Sequence, residues 1–112
     1  MKTSPIKFGT ADAELLCPNC GHDHLHHEGV VSYDRAEDDE RIMMTTVRGQ
    51  YASSLVTQNN AQNPSARRDG VAISFWCEGC HEHWELTIAQ HKGKSLCQWR
   101  FACSGAPPDQ RL

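Results

Sequence analysis

Two pairs of cysteines have the spacing that lets a tight turn aim two thiolates at one metal ion. They lie in the segments CPNC at residues 17–20 and CEGC at residues 77–80. Four thiolates make up the tetrahedral ligand set of a structural zinc site. The sequence therefore predicts one structural Zn²⁺ per chain, with iron as the alternative because both metals accept four thiolates. The predicted ligands are Cys17, Cys20, Cys77 and Cys80.

The two cysteine pairs are separated by the 56 residues from 21 to 76. Widening a closed loop from about 16 to this length costs only about 1 kcal/mol of closure entropy. A structural zinc site contributes roughly 10–16 kcal/mol of apparent binding free energy. The long separation is therefore no obstacle to a shared ion.

The remaining metal-binding side chains are expected to lie outside this site, because four cysteines already complete it. The histidines are expected to be solvated or to pack around the ligands; a histidine replacing one cysteine, or a second and weaker metal site, is left open. Cys97 is expected to be a small core residue on a strand, and Cys103 to be exposed near the tail. The histidines are His22, His24, His26, His27, His81, His83 and His91.

The same residues argue against catalysis. A catalytic zinc keeps one coordination position open, which four cysteines would close. No nucleophile motif and no phosphate-binding glycine loop is present, so we expect that the chain is not an enzyme. CEGCH at residues 77–81 matches the haem-attachment pattern, but no export signal is visible, its flanks resemble strands and the other cysteine pair would have no role.

Alternating apolar residues predict the strands that would position the cysteines. Residues 71–76, 84–89 and 97–101 alternate with a period of two, which is typical of half-buried antiparallel strands. Residues 41–57 predict a hairpin that turns at Gly49-Gln50. A tight turn is expected at HKGK, residues 91–94, between the last two strands, and a further strand around residues 30–33. The fold class predicted is mainly β: a small antiparallel sheet with two zinc knuckles and a long loop insertion, dense in turn residues, at 58–70.

The chain of 112 residues predicts one domain. We expect a flexible N-terminal arm at 1–13, a single zinc-ribbon-like domain at 14–102 and a flexible C-terminal tail at 103–112. No secretory signal and no apolar run of the roughly 20 residues that span a bilayer is visible. The expected location is the cytoplasm, without membrane contact, where paired cysteines are typical metal ligands.

The segments around the cysteines resemble those of a known family. CPNCG at 17–21 is similar to the first knuckle of zinc ribbons and CEGC at 77–80 to the second, although His81 stands where the family often has glycine. The segments NPSARRDG, FWCEGC and LTIAQHKG also resemble small uncharacterised zinc-ribbon-like proteins of bacteriophages and prophages. That resemblance implies a mobile-element context and, by analogy, a protein acting on host machinery.

The charge balance favours a protein partner. The net charge is −3, whereas a protein that binds nucleic acid through phosphates usually carries a basic excess. The loop at 58–70 holds Arg67 and Arg68, which are our candidates for the contact site because arginine suits bidentate contacts with carboxylates or phosphates. A homodimer formed by strand pairing is a further expectation.

Nucleic-acid binding is the alternative function. Cationic side chains and aromatic rings could together supply phosphate contacts and base stacking. The residues considered for these roles are Arg67, Arg68, Lys92, Lys94, Arg100, Trp76, Trp84 and Trp99.

Overall fold

The computed structural model of this chain describes residues 3–4, 6, 8–9 and 14–101. These residues form one antiparallel sheet with no helix, in the strand order β1-β7-β6-β5-β2-β3-β4. The predicted mainly-β fold class is confirmed. The strands are β1 (Thr3–Ser4), β2 (Leu25–Asp34), β3 (Ile42–Arg48), β4 (Tyr51–Thr57), β5 (Gly70–Cys77), β6 (His83–His91) and β7 (Lys94–Phe101).

Tight turns connect the strands where the sequence predicts them. Gly49, with φ +60°, starts the two-residue turn between β3 and β4. Lys92 and Gly93 both have positive φ in the turn between β6 and β7, which is the backbone that a type I′ hairpin requires. Both hairpins keep an unbroken register. Local turn chemistry therefore determines these parts of the sheet.

The two faces of the sheet differ in chemistry. Strand register places Cys77, Trp84 and Trp99 on one face, which we call the metal face. The opposite face, which we call the polar face, carries Glu85 and Arg100 among its buried side chains. The core cluster lies at one end of the metal face. It comprises Cys17, Cys77, Trp84 and Trp99, with Ile6, Leu15, Leu25, Phe75, Cys80, Leu86 and Phe101 packed against them.

The expectation that Cys97 is a core residue is wrong, because Cys97 is exposed. It lies on the metal face opposite Ile88, but the first five residues of β7 extend past the core cluster and are exposed. The packed part of β7 begins at Trp99, which is fully buried.

The long loop, residues 58–69, is packed against the sheet. Asn63 and Ser65 are buried; the Asn63 side chain donates to Asn60 Oδ1 at 2.8 Å, and Ser65 Oγ donates to the Gln90 carbonyl at 2.8 Å. The close packing extends to Gly70, where a Cβ atom would lie 2.1 Å from Asn63 Oδ1. The loop is therefore a packed part of the domain.

Part of the N-terminal arm belongs to the sheet, since Thr3 and Ser4 pair with Arg100 and Trp99 on β7. The expected tail at 103–112, with Cys103, lies outside the described residues. No helix among the described residues is long and apolar enough to cross a membrane.

Candidate metal centre

The sheet brings the two cysteine pairs together. Because β2 runs antiparallel to β5, the start of β2 lies beside the end of β5, where Leu25 pairs with Cys77. The first pair lies shortly before β2; of the second, Cys77 ends β5 and Cys80 lies in the connection between β5 and β6. The 56 intervening residues are mostly strands β2 to β5, so the sheet itself closes the distance.

The four sulfur atoms form one group. All lie within 4.8 Å of one another, with Cys17 Sγ 3.7 Å from Cys80 Sγ and Cys20 Sγ 3.6 Å from Cys77 Sγ. A tetrahedral ion with metal–sulfur bonds of about 2.3 Å requires sulfur separations of about 3.8 Å. The four cysteines can therefore hold a metal ion with little movement of their side chains.

The two turns around the cysteines have the same backbone hydrogen bonds. In the first, Asn19 N donates to Cys17 Sγ at 3.4 Å and Gly21 N donates to the Cys17 carbonyl at 2.9 Å. In the second, Gly79 N donates to Cys77 Sγ at 3.3 Å and His81 N donates to the Cys77 carbonyl at 2.9 Å. N–H donors to sulfur stabilise the thiolate form, so each turn is suited to a metal-bound cysteine.

His81 adopts the backbone that its counterpart Gly21 adopts. Its φ is +63°, compared with +79° at Gly21. The departure from the zinc-ribbon pattern at His81 therefore leaves the turn intact and adds backbone strain of roughly 1–2 kcal/mol, because a Cβ atom disfavours this region. The ring of His81 lies 5.7 Å from that of Trp76.

Burial and hydrogen bonding give Cys17, Cys77 and Cys80 different proton affinities. Cys17 and Cys77 are buried and Cys20 is exposed. Burial raises the pKa of Cys17 to about 12 and also raises the pKa of Cys77. Burial acts in the same direction at Cys80, but hydrogen bonds from the Asn19 side chain and the Glu82 backbone, with the neighbouring thiols, lower its pKa to about 7. Without a cation the two buried sulfurs stay neutral, whereas a bound cation would favour their thiolate form.

No histidine belongs to this sulfur group in the described part of the chain. His22 packs against the second turn, where a Cβ on Gly79 would lie 2.9 Å from its ring. His22, Asp23 and His24 form a second group close enough to share an ion. However, His22 Nδ1 accepts a hydrogen bond from His24 N at 3.0 Å, and His24 Nδ1 lies 2.7 Å from Asp23 Oδ1. These contacts engage Nδ1 of both histidines and one carboxylate oxygen of Asp23.

Arg67 and Arg68 lie in the packed loop and have partners within the chain. Arg67 Nε donates to Asp38 Oδ1 at 2.9 Å, and Arg68 Nη2 lies 2.9 Å from Glu37 Oε2. The acidic turn between β2 and β3, residues 35–41, and the loop at 58–69 are separate charge runs in the sequence and are thus joined. Hydrogen bonding from Arg67 lowers the pKa of Asp38. The sequence gives no signal for this pairing beyond opposite charge.

Three residues considered for nucleic-acid contacts lie inside the domain. Trp84 and Trp99 are buried in the core cluster, so their rings are not available for base stacking. Arg100 is buried and paired with Glu85. Lys92 and Lys94 are exposed around the turn between β6 and β7. The cations accessible to a phosphate are therefore fewer than the sequence indicates.

No known protein family, no curated protein and no solved structure matches this chain.

Proposed function

We propose that this chain is a small non-catalytic β-sheet module whose Cys17, Cys20, Cys77 and Cys80 hold one structural zinc ion, and that it acts by contacting another protein. The observation that carries the metal assignment is the pair of sulfur separations, 3.6 and 3.7 Å, which match the edges of a zinc–thiolate tetrahedron. Iron is the alternative ion, since it accepts the same four ligands.

The position of the site supports a structural role for the ion. Cys17 and Cys77 belong to the same buried cluster as Trp84 and Trp99. A bound ion would join the chain before β2 to the connection between β5 and β6, which are far apart in sequence. Four thiolates fill the coordination sphere and leave no position for a substrate or water.

Binding to a protein is supported by the charge distribution. The net charge is −3, Arg100 is buried with Glu85, and Arg67 and Arg68 are neutralised by the acidic turn. These features disfavour an extended phosphate contact. Lys92 and Lys94, which are exposed at the β6–β7 turn, support the alternative, nucleic-acid binding. A phage or prophage origin and a cytoplasmic location are implied only by the resemblance and by the cysteine usage.

Metal analysis tests the first half of the proposal. Purified protein should contain close to one zinc per chain by elemental analysis, and Co²⁺ should replace it with the thiolate-to-cobalt absorption of a Cys₄ site. Cys20→Ser should lose the metal, whereas Cys97→Ser, which alters an exposed cysteine outside the group, should keep it. Absence of metal, or a red iron-containing protein, would contradict the zinc assignment.

The contact role of Arg67 and Arg68 needs a control for their intramolecular ion pairs. Zinc-loaded wild type serves as bait, and each captured protein is quantified against the Arg67→Ala/Arg68→Ala variant. The control, Glu37→Gln/Asp38→Asn, breaks the same ion pairs but leaves both arginines in place. If the arginines contact the partner, capture falls at least ~10-fold, about 1.4 kcal/mol, only in the alanine variant. Equal loss in both variants would assign the arginines a structural role.

A DNA titration separates the two function classes. Single-stranded and duplex DNA oligonucleotides are titrated at low and moderate salt. Binding that weakens steeply with salt would support the nucleic-acid alternative. No binding at low salt would remove it.

A further inference from the structure

Strand β4 forms one edge of the sheet and has no partner on its outer side among the described residues. Its sequence, YASSLVT, contains no charged residue and no proline. It pairs with β3 over its whole length without a bulge. Natural edge strands are usually protected by charges, prolines, bulges or short length. β4 has none of these protections.

The other edge of the sheet is different. There β1 covers the end of β7 at Trp99 and Arg100, and the uncovered part of β7 begins with Lys94. The charge of Lys94 and the cover by β1 disfavour the addition of another strand at that edge. In the described part of the chain, β4 is therefore the long and uncharged open edge.

The backbone of β4 determines what can bind there. Arg48 and Tyr51 close a two-residue turn, and the closing pair of such a hairpin exchanges both hydrogen bonds. Alternation along the strand then points the N–H and C=O groups of Ala52, Ser54 and Val56 away from β3. Six polar groups in a row are satisfied most completely by another extended strand.

Exposed apolar side chains surround this edge. Val56 is 57% exposed, and Met43 and Val47 on β3 are 43% and 49% exposed. Register places Met43 beside Val56 and Val47 beside Ala52, all on the metal face. On the polar face of the same strand, Tyr51 and Leu55 are 55% and 43% exposed. A second apolar strand at this edge would bury exposed apolar surface on both faces of the sheet, which is favourable.

We propose that β4 is a dimerisation edge, which pairs antiparallel with β4 of a second copy about a twofold axis at Ser54. In this register Ala52 lies opposite Val56 of the second copy, and both residues have outward backbone groups. An apolar row then crosses the interface on the metal face. It runs from Met43 and Val56 of one copy to Ala52 and Val47 of the second copy. Such an isologous contact is reciprocal, and only Ser54, which lies on the axis, meets its own copy. An uncharged strand makes that contact without like-charge repulsion.

This inference is independent of the zinc assignment and of the contact with another protein. The joined sheets would contain fourteen strands, twice the seven that the described residues of one chain form. Each metal centre lies at β2, β5 and the start of β6, away from the β4 edge. Metal content can therefore be measured separately from assembly.

The first test is mass in solution. Sedimentation and light scattering of the full chain at about 1 to 100 µM should show the mass of two chains of 12.6 kDa each at the upper concentrations. Ser54→Lys, which places like charges across the twofold axis, should raise the dimer dissociation constant at least ~10-fold with metal content unchanged. Thr45→Ala removes the same Thr45–Ser54 hydroxyl contact, 3.3 Å, without adding charge and should leave the dimer intact. A monomer throughout, or a Ser54→Lys dimer of unchanged affinity, would overturn the proposal.

The second test needs no variant. Amide hydrogen exchange should slow with increasing protein concentration at Ala52, Ser54 and Val56, whose N–H groups point outward. Ser53 and Leu55, whose N–H groups point towards β3, should change much less. Concentration-independent exchange at the first three amides would refute the pairing even if a dimer forms.

Discussion

Glu85 and Arg100 form a buried ion pair on the polar face of the sheet. Arg100 Nε donates to Glu85 Oε1 at 2.9 Å, and Arg100 Nη2 lies 2.8 Å from the same oxygen. The two residues are directly paired on β6 and β7, and their side chains are only 4% and 9% exposed. The arginine side chain therefore pairs within the sheet and is not accessible to a phosphate.

Removing one member of this pair should destabilise the fold strongly. Arg100→Ala leaves a buried carboxylate without its cation, which typically costs about 3–5 kcal/mol of unfolding free energy. The double change Glu85→Leu/Arg100→Met should recover most of that loss, because apolar residues of similar volume need no desolvated charge. Urea unfolding measures both, with the exposed Lys94→Ala as control. A loss below about 1 kcal/mol for Arg100→Ala would contradict the buried pair.

The cysteine ligands should be essential for folding. Cys17→Ser or Cys80→Ser should abolish the cooperative thermal transition, because the core is thin and a structural metal provides much of the folding free energy. Trp84 and Trp99 pack against the cysteines, so tryptophan fluorescence should shift to the red in these variants and on chelation of the wild type. Cys97→Ser should melt like wild type. Cys103→Ser, which lies outside the described residues, is also expected to be nearly silent.

Metal binding should release protons, and the apparent affinity should rise with pH. The raised pKa values of Cys17, about 12, and of Cys77 mean that both thiols are protonated at about pH 8 before the ion arrives. Cys80, with a pKa lowered to about 7, has largely lost its proton by then. Calorimetry in buffers of different ionisation enthalpy should therefore detect at least two protons released per ion at that pH. Release of one proton or none would show that the buried thiols are already ionised.

Removing glycine from the first cysteine turn and introducing it into the second should have opposite effects on stability. Gly21→Ala introduces a Cβ atom at φ +79° and should cost roughly 1 kcal/mol of unfolding free energy. His81→Gly relieves the strain at φ +63°, although it loses the contact with Trp76, and should be neutral or stabilising by up to about 1 kcal/mol. Thermal unfolding of the zinc-loaded variants measures both. Strong destabilisation by His81→Gly would show that the histidine ring, and not the backbone, holds this turn.

The pair between Asp38 and Arg67 should make stability depend on pH in the acid range. Hydrogen bonding to Arg67 lowers the pKa of Asp38 in the fold below its ordinary value of 3.8. A lowered pKa contributes stability that is present above the unfolded-state value and is lost as the pH falls through the folded-state value. Asp38→Asn should therefore lower the melting temperature near neutral pH and reduce its dependence on pH below about 4. Parallel pH profiles for wild type and Asp38→Asn would exclude this contribution.

Part of this protein is determined by the sequence alone. The spacing of Cys17 with Cys20 and of Cys77 with Cys80 predicts the metal group, because a tight turn is a local structure. The alternation in β5 to β7 and the turns at Gly49 and Gly93 predict the antiparallel strands for the same reason. Each of these signals depends on residues within a few positions of one another.

The tertiary structure decided what depends on contacts distant in sequence. Arg67 meets Asp38 because the loop at 58–69 packs beside the acidic turn, and Arg100 is buried because its strand pairs with β6 at Glu85. Cys97 is exposed although it alternates correctly, because the core cluster lies at the other end of its face. The sequence shows the charge of each residue and the alternation of apolar residues along each strand. Only the strand order shows which residues face one another and which edge is left open.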